Sequence, residues 1–129
     1  MTKTNEDARL VLDKLWKFAT ENDGYFKLDN DSAFVPLTIE IIEPTVISIC
    51  HYGEMNFDPM RDPEMLFWKN ENGDYFPYYF RNDYAGIEDI LGEVANDKLV
   101  SFNEKHQISL VEFSNIWLEN IECQQFRKG

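Results

Sequence analysis

Long hydrophobic runs are absent from this sequence, and so are closely spaced cysteines. Its longest apolar runs are no longer than MLFW at 65–68, whereas roughly 20 apolar residues are needed to cross a bilayer. The N-terminal stretch MTKTNEDARL lacks the basic and apolar regions of a secretory signal. The two cysteines, Cys50 and Cys123, lie in apolar-periodic segments without CxxC spacing, which predicts buried reduced thiols. We therefore expect a cytoplasmic protein that does not enter a membrane.

Basic residues are also scarce, with 12 Lys and Arg against 24 Asp and Glu and a formal net charge of -12. This charge repels nucleic-acid backbones and anionic membranes, so direct binding to either is disfavoured. It suits a basic protein partner, a divalent cation, or mimicry of DNA toward a DNA-binding protein. An ordinary solvated acidic surface would carry the same charge, so composition alone names no partner.

Amphipathic helices are predicted at both ends of the chain. Apolar residues recur at steps of three and four from Thr4 to about Asn22, with Thr4 or Asn5 as the N-cap and Gly24 at the stop. A second such pattern predicts a C-terminal helix. Its start is open between Ser101 and Ser109, because each serine precedes a glutamate at the capping-box spacing.

The segments between these helices read mainly as strands. LTIEIIE at 37–43 and TVISICHY at 45–52 predict one hairpin, and MLFWKN with DYFPYYFRN predicts a second around a type I′ turn at Asn72-Gly73. Pro77 inside the last strand indicates an edge position or a bulge. A short strand at 25–28, a short helix from about Tyr84 and an edge strand at 94–102 complete the prediction.

The predicted architecture is a single α+β domain spanning residues 1–129. A length of 129 residues with 43% hydrophobic content leaves room for one core and no second domain. We expect a four- to five-stranded antiparallel meander sheet packed by the N-terminal and C-terminal amphipathic helices. The other sheet face would meet solvent or form a groove.

The stretch HYGEMNFDPMRDPEM at 51–65 carries the residues most typical of a metal site. The candidate ligands are His51, Glu54, Asp62 and Glu64, whose nitrogen and oxygen donors suit manganese, iron or zinc. The competing interpretation is structural. Two Asp-Pro steps restrict the backbone and offer carboxylates to nearby amides, which builds a rigid turn without a metal. No cofactor is predicted, although a divalent metal would fit this stretch.

Other catalytic motifs give little support for an enzyme. No GxSxG elbow, P-loop or GxGxxG is present. The aromatic run YFPYYFRNDY at 75–84 could stack on bases or sugars, but aromatics on a strand more often fill a core or a protein interface.

Three stretches of the sequence are HYGEMNFDPMRDPEMLFW, FPYYFRNDYAGIED and FSNIWLENI. Together they resemble a family of short uncharacterised bacterial proteins, a domain of unknown function carried by plasmids, phages and conjugative elements. The resemblance covers about residues 37–121, and DPEM at 62–65 is its most specific part. It implies a mobile-element setting and a set of site positions but no reaction. Those positions are His51, Tyr52, Asp62, Glu64, Arg81, Asn82, Asp83 and Tyr84.

From these observations we expect a non-catalytic macromolecular interaction module with an acidic, tyrosine-rich surface around Tyr52, Arg81, Asn82, Asp83 and Tyr84. A protein partner is expected, and DNA mimicry or another host-interaction role would fit a mobile element. Arg81 is expected to pair with Asp62 or Glu64. The alternative is a metal-dependent enzyme using the 51–65 loop. Two copies could also pair through an edge strand or the tyrosines, so a homo-oligomer is a further expectation.

Overall fold

In a computed structural model, the chain is an α+β protein with two helices packed on an antiparallel sheet. The structure describes residues 1–28, 36–55, 58–101 and 103–126, and all their side chains except those of Glu54, Met55, Ser101 and Gln125. The helices are α1 (Glu6–Glu21) and α2 (Glu104–Ile121), followed by a short π-helical segment, Glu122–Phe126. The strands are β1 (Tyr25–Leu28), β2 (Leu37–Glu43), β3 (Val46–Met55), β4 (Asp58–Lys69), β5 (Tyr75–Asn82), β6 (Ile87–Ile90), β7 (Gly92–Ala95) and β8 (Lys98–Ser101).

The main sheet is a meander in which each strand pairs with the next along the chain. Its order is β1-β2-β3-β4-β5-β6, with every pairing antiparallel, and β7 with β8 forms a separate two-stranded sheet. The predicted α+β class and antiparallel meander are confirmed. The predicted count of four to five strands was wrong, because the sheet has six.

The predicted N-terminal helix is confirmed, with Asn5 as its cap. The Asn5 side chain accepts a hydrogen bond from the Ala8 amide at 2.8 Å, which satisfies one of the amides left free by the first turn. At the other end, Gly24 has a φ of 87° and its amide donates to the Ala19 carbonyl at 2.7 Å. Glycine adopts this left-handed conformation without steric cost, so the helix ends where the sequence indicated.

The C-terminal helix begins at neither predicted serine. Asn103 is its N-cap, and the Asn103 side chain accepts a hydrogen bond from the His106 amide at 3.1 Å. Asparagine is as good an N-cap as serine. The capping-box spacing at Ser101 and Ser109 therefore gave the wrong boundary.

The stretch at 51–65 is mostly strand rather than loop. β3 continues to Met55 and β4 begins at Asp58, so only residues 56 and 57 separate them, and both lie outside the described part of the chain. The register shifts where Cys50 pairs with Glu64 but Tyr52 pairs with Arg61, which marks a bulge on β4. The predicted loop is therefore the end of a long hairpin.

The type I′ turn predicted at Asn72-Gly73 is not found there. Gly73 has a φ of 81°, but Asn72 does not have a positive φ, and the Asn70 side chain accepts hydrogen bonds from the amides of Asn72 and Asp74. The two consecutive left-handed residues that this turn needs are Asn96 and Asp97, with φ of 53° and 62°, between β7 and β8.

The short helix predicted from Tyr84 is a turn followed by β6. Gly86 has a φ of 66°, and the chain then reverses so that Ile87 pairs with Asn82. The edge strand predicted at 94–102 is instead the β7–β8 hairpin, with Phe102 outside the described residues. The predicted bulge at Pro77 is confirmed by a register shift between β4 and β5.

The core lies between the helices and one face of the sheet. Leu12 and Leu15 of α1 and Leu118 of α2 are fully buried in one cluster with Ile39 and Phe67 of the sheet. Cys50 is buried as predicted, whereas Cys123 is exposed, so the prediction of two buried thiols was wrong for Cys123. Neither thiol forms a disulfide bond within the described part of the chain.

Candidate functional site

The ends of three neighbouring strands bring together most of the polar residues singled out in the sequence. Arg61 on β4 lies opposite Tyr52 on β3, and Glu64 on β4 lies opposite Arg81 on β5. The turn after β5 begins at the same end of the sheet. We name this set the strand-end cluster: Tyr52, Asp62, Glu64, Arg81, Asn82, Asp83 and Tyr84.

Asp83 occupies the centre of this cluster. The Asp83 carboxylate accepts one hydrogen bond from the Arg61 amide and one from the Arg81 guanidinium, each at 2.8 Å. The Asp83 amide in turn donates to the Arg61 carbonyl at 2.8 Å. The Arg61 amide and the Arg81 guanidinium lower the pKa of Asp83, because both stabilise its charged form. Asp83 thus joins the turn after β5 to β4.

Asn82 makes a second connection between the same two elements. The Asn82 side chain donates to the Asp62 carboxylate at 2.9 Å and accepts a hydrogen bond from the Ala85 amide at 3.1 Å. Asp62 precedes Pro63 through a cis peptide bond. The side-chain amide therefore bridges β4 and the turn that leads into β6.

The predicted partners of Arg81 were wrong. Arg81 pairs with Asp83 at 2.8 Å and with Glu88 at 3.7 Å, rather than with Asp62 or Glu64. Glu64 instead accepts a hydrogen bond from the Ser48 hydroxyl at 3.0 Å and lies 3.6 Å from the Arg61 guanidinium. Glu64 lies opposite Arg81 in the strand register, but Asp83 takes the Arg81 guanidinium, while Ser48 and Arg61 contact the Glu64 carboxylate.

His51 and Glu64, two of the candidate metal ligands, lie on opposite faces of the sheet. Successive side chains of a strand alternate between faces, and Glu64 pairs with Cys50 rather than with His51. The His51 ring packs edge-on against Trp117 of α2, with ring centroids 5.6 Å apart, whereas Glu64 contacts Ser48 on the other face. The sheet itself therefore separates these two donors.

His51 lies in an aromatic environment rather than a polar one. His51 is the last ring in a series of four aromatic rings in contact. The ring centroids are 5.5 Å apart between Phe80 and Phe113, 6.2 Å between Phe113 and Trp117, and 5.6 Å between Trp117 and His51. The Nε2 atom of His51 is buried and has no hydrogen-bond partner among the described residues. Burial lowers the pKa of His51, and the nearby Asp62 carboxylate opposes this effect only in part. This environment therefore favours the neutral imidazole over its charged form.

A metal site at 51–65 stays a prediction. Asp62 is the candidate carboxylate whose charge reaches His51. The side chain of Glu54 lies outside the described residues. Within the described ranges, no three His, Cys, Asp or Glu side chains are grouped so that they could hold a metal ion.

Cys50 and Tyr52 lie beside Glu64 on the face of the sheet that points away from the helices, which we call the open face. Burial, with a contribution from the Glu64 carboxylate, raises the pKa of the Cys50 thiol to about 12. A thiol in this state is a poor nucleophile, because the thiolate is the reactive species. Burial also raises the pKa of Tyr52, although its side chain is largely accessible.

Tyr84 reaches back across the sheet to Gly53. A Cβ atom built on Gly53 would overlap the Tyr84 hydroxyl and would lie 3.0 Å from Cε2 of the same ring. The absence of a side chain at position 53 therefore gives the tyrosine ring its place against β3. This contact joins the last member of the cluster to the first strand of the group.

The sequence did not reveal the exposed edge formed by β6. All four residues of β6 are exposed, with Ile87 at 43% and Ile90 at 56% exposure. A groove of about 320 Å³ lies beside it, lined by Phe80, Leu91, Leu110 and Phe113 together with Asp89, His106 and Ser109. In the sequence IEDI the two isoleucines lie at the ends rather than at alternate positions. The apolar–polar alternation that would predict a strand is therefore missing.

Gln107 is a second residue that sequence reasoning missed. It is fully buried on α2, and its side chain donates to the carbonyls of Thr2 at 2.7 Å and Pro77 at 3.2 Å. Its oxygen accepts a hydrogen bond from the Thr2 amide at 2.9 Å. These contacts hold the N-terminal segment and the bulge of β5 against the helix.

Comparison with known proteins gives a family but no activity. None of the described helices is long and apolar enough to cross a membrane. Neither the curated proteins nor the solved structures yielded a match. A family model described as Domain of unknown function (DUF6908) matches residues 9–127. The chain therefore belongs to the DUF6908 family.

Proposed function

We propose that this protein is a non-catalytic interaction module that binds a basic protein through the acidic edge of its sheet. One observation carries the proposal: large apolar side chains are exposed among carboxylates around β6. Tyr84, Ile87 and Ile90 are each more than 40% exposed, and Glu88 and Asp89 lie between the two isoleucines. Exposed apolar groups with polar neighbours are typical of protein-binding surfaces.

The internal contacts of the strand-end cluster support a scaffolding role for that cluster. Asp83, Asn82 and Arg81 direct their polar groups at neighbouring residues of the same chain. A catalytic group would need a free polar atom aimed at a substrate position. These side chains instead connect β4 to the turn before β6, which holds the exposed edge in a defined position.

The charge of the protein sets the class of partner. A net charge of -12 attracts basic surfaces and increases their rate of encounter. In the finer form of the proposal, the partner is a DNA-binding protein of the host of a mobile element, and Glu88, Asp89 and Glu93 stand in for phosphates. Duplex DNA should then compete with this protein for the partner.

The test compares two charge-reversed variants that carry the same change in net charge. Immobilised wild type, Glu88→Lys/Asp89→Lys and the control Glu112→Lys/Glu119→Lys would be incubated with bacterial lysate, and retained proteins would be identified by mass spectrometry. The control positions are exposed on α2. We expect basic proteins that are retained by wild type and control but lost by the β6 variant. Equal retention by all three would overturn the proposal, and elution by duplex DNA tests the finer form.

A further inference from the structure

We infer that β6 accepts an extended segment of the partner as an additional strand of the sheet. The segment would carry the pattern apolar–basic–basic–apolar. This inference rests on the proposed function, since it specifies how the basic partner is held. Strand addition of this kind uses main-chain hydrogen bonds for affinity and alternate side chains for specificity.

The outer edge of β6 offers backbone groups in the right places. β6 ends the strand order of the sheet, and none of the described strands pairs with its outer side. The Leu91 amide donates to the Tyr78 carbonyl at 2.8 Å, and Asp89 pairs with Phe80 in the same register. Because hydrogen-bonding direction alternates along an antiparallel strand, the amides and carbonyls of Glu88 and Ile90 point away from β5. These four groups are the template for a new strand.

The side chains of β6 define what the new strand should carry. Ile87 and Asp89 lie on the helix side of the sheet, whereas Glu88 and Ile90 lie on the open side. Each side therefore presents one carboxylate and one isoleucine, and the exposed Glu88 carboxylate also accepts a hydrogen bond from the Tyr79 hydroxyl at 2.6 Å and lies 3.7 Å from the Arg81 guanidinium. A neighbouring strand matches them with a basic residue beside each carboxylate and an apolar residue beside each isoleucine, and such cross-strand pairs are stabilising. The resulting pattern is the same whether the segment runs parallel or antiparallel.

The groove between β6 and α2 extends the site on the helix side. Its volume is about 320 Å³, and Phe80, Leu110 and Phe113 provide apolar walls with Asp89 at the sheet side. A long side chain placed beside Asp89 can lay its methylene groups against these walls while its cationic end meets the carboxylate. Lysine and arginine both have this form.

A second copy of the chain fits this edge poorly. Because the outward backbone groups belong to Glu88 and Ile90, antiparallel pairing of two β6 strands through both residues would place Asp89 of one copy directly opposite Asp89 of the other. Like charges directly opposite are destabilising, and each copy carries a net charge of -12. The same edge therefore favours a basic partner over self-association.

The test uses a designed peptide as the probe. Thr-Val-Lys-Arg-Val-Thr carries the inferred pattern, and Thr-Lys-Val-Val-Arg-Thr has the same composition with basic and apolar positions exchanged. Binding of each labelled peptide to the full chain would be measured by fluorescence anisotropy at low and high salt. We expect the first peptide to bind about tenfold more tightly than the second, since each cross-strand pair contributes roughly 0.2–1 kcal/mol.

N-methylation distinguishes strand addition from simple charge attraction. In either orientation, the amides of the first valine and the arginine face β6, while those of the lysine and the second valine face away. Methylating the first two should weaken binding about thirtyfold, because two hydrogen bonds of roughly 1 kcal/mol each are lost. Methylating the other two should leave it within about threefold. Equal effects of both methylation patterns would overturn the inference.

Protein variants give an independent test of the same edge. Ile90→Pro removes an outward-pointing amide without removing a hydrogen bond to β5, whereas Ile90→Ala removes only the side chain. We expect Ile90→Pro to bind the peptide about fivefold more weakly than Ile90→Ala, at equal melting temperature, because one hydrogen bond is lost. If lysate proteins are lost by Glu88→Lys/Asp89→Lys but kept by Ile90→Pro, strand addition is wrong and the proposed function stands. If neither variant changes retention, the proposed function is wrong.

Discussion

Arg61 and Asp83 are joined by two reciprocal hydrogen bonds between β4 and the turn after β5. The Arg61 amide donates to the Asp83 carboxylate, and the Asp83 amide donates to the Arg61 carbonyl, both at 2.8 Å. A neutral amide side chain at position 83 would accept the bond from the Arg61 amide more weakly and would lose the charge that attracts the Arg81 guanidinium at 2.8 Å. The Asp83 carboxylate therefore helps to hold the turn that leads into β6 against β4.

We predict that Asp83→Asn lowers the melting temperature by a few degrees and loosens the turn at 83–86. The matched control is Asp97→Asn, which makes the same chemical change at an exposed turn residue that contributes only its backbone carbonyl, to Trp68. Thermal unfolding followed by circular dichroism gives the stabilities, and amide hydrogen exchange at Arg61 gives the local effect. Equal melting temperatures for the two variants would mean that Asp83 has no structural role.

The helix α1 and the strands β1 to β5 could be predicted because their signals are local. Steps of three and four residues in α1, and β-branched residues bounded by turn formers in β2 and β3, are visible within a short window. Asn103 was missed as the cap because two serines offered the same signal nearby. Local signals thus gave the elements but not all of their boundaries.

The strand β6 could not be predicted because its pairing is not local. Tyr84, Ile87 and Leu91 recur at helical steps, and the sequence therefore indicated a helix there. Pairing of Ile87 with Asn82 and a left-handed Gly86 override that periodicity. For the same reason, the face on which each candidate ligand lies depends on the β4 bulge, so the separation of His51 from Glu64 was not visible in the sequence.

The half-buried His51 predicts a loss of stability at mildly acidic pH. The folded state lowers the pKa of His51, so below the unfolded-state value of about 6.5 the unfolded chain binds more protons than the folded one. The free energy of unfolding therefore suffers no loss from His51 above pH 6.5, and it falls as the pH is lowered toward the folded-state pKa. Urea unfolding at pH 7.5, 6.5 and 5.5 should show this decline.

His51→Phe should flatten that pH dependence, because phenylalanine keeps the ring contact with Trp117 but does not titrate. His106→Asn, which replaces the other histidine on an exposed turn of α2, is the control and should keep the decline. Parallel pH profiles for wild type and His51→Phe would contradict the assignment of the effect to His51.

Gln107 provides a prediction about the buried polar contacts of α2. Gln107→Leu removes the donor from a buried hydrogen bond to the Pro77 carbonyl and from a partly buried one to the Thr2 carbonyl, and the loss of a buried donor costs about 1–3 kcal/mol. Lys105→Leu introduces the same residue at an exposed position of the helix and should stay within about 0.5 kcal/mol of wild type. Urea midpoints measure both. A Gln107→Leu protein as stable as the control would show that water or relaxation replaces these bonds.

The separation of His51 from Glu64 predicts the response to added metal. After chelation, we expect manganese, zinc, magnesium and calcium to give the same melting-temperature changes in wild type and in His51→Phe. A metal that binds only the folded state at about 100 times its dissociation constant would add roughly 2.7 kcal/mol. A rise of several degrees with one metal, lost in His51→Phe, would instead support the metal-dependent enzyme.

The contact between Tyr84 and Gly53 predicts a coupled pair of substitutions. Gly53→Ala places a Cβ atom against the Tyr84 ring, and because the obstructing atoms are the far end of a side chain, the ring should move rather than the strand. We expect Gly53→Ala to cost about 1 kcal/mol or less. In a Tyr84→Ala background the same substitution should cost nothing, since the obstruction has gone. A double-mutant cycle from urea unfolding measures this coupling. Additive effects would show that Gly53 is required by its own backbone rather than by the tyrosine.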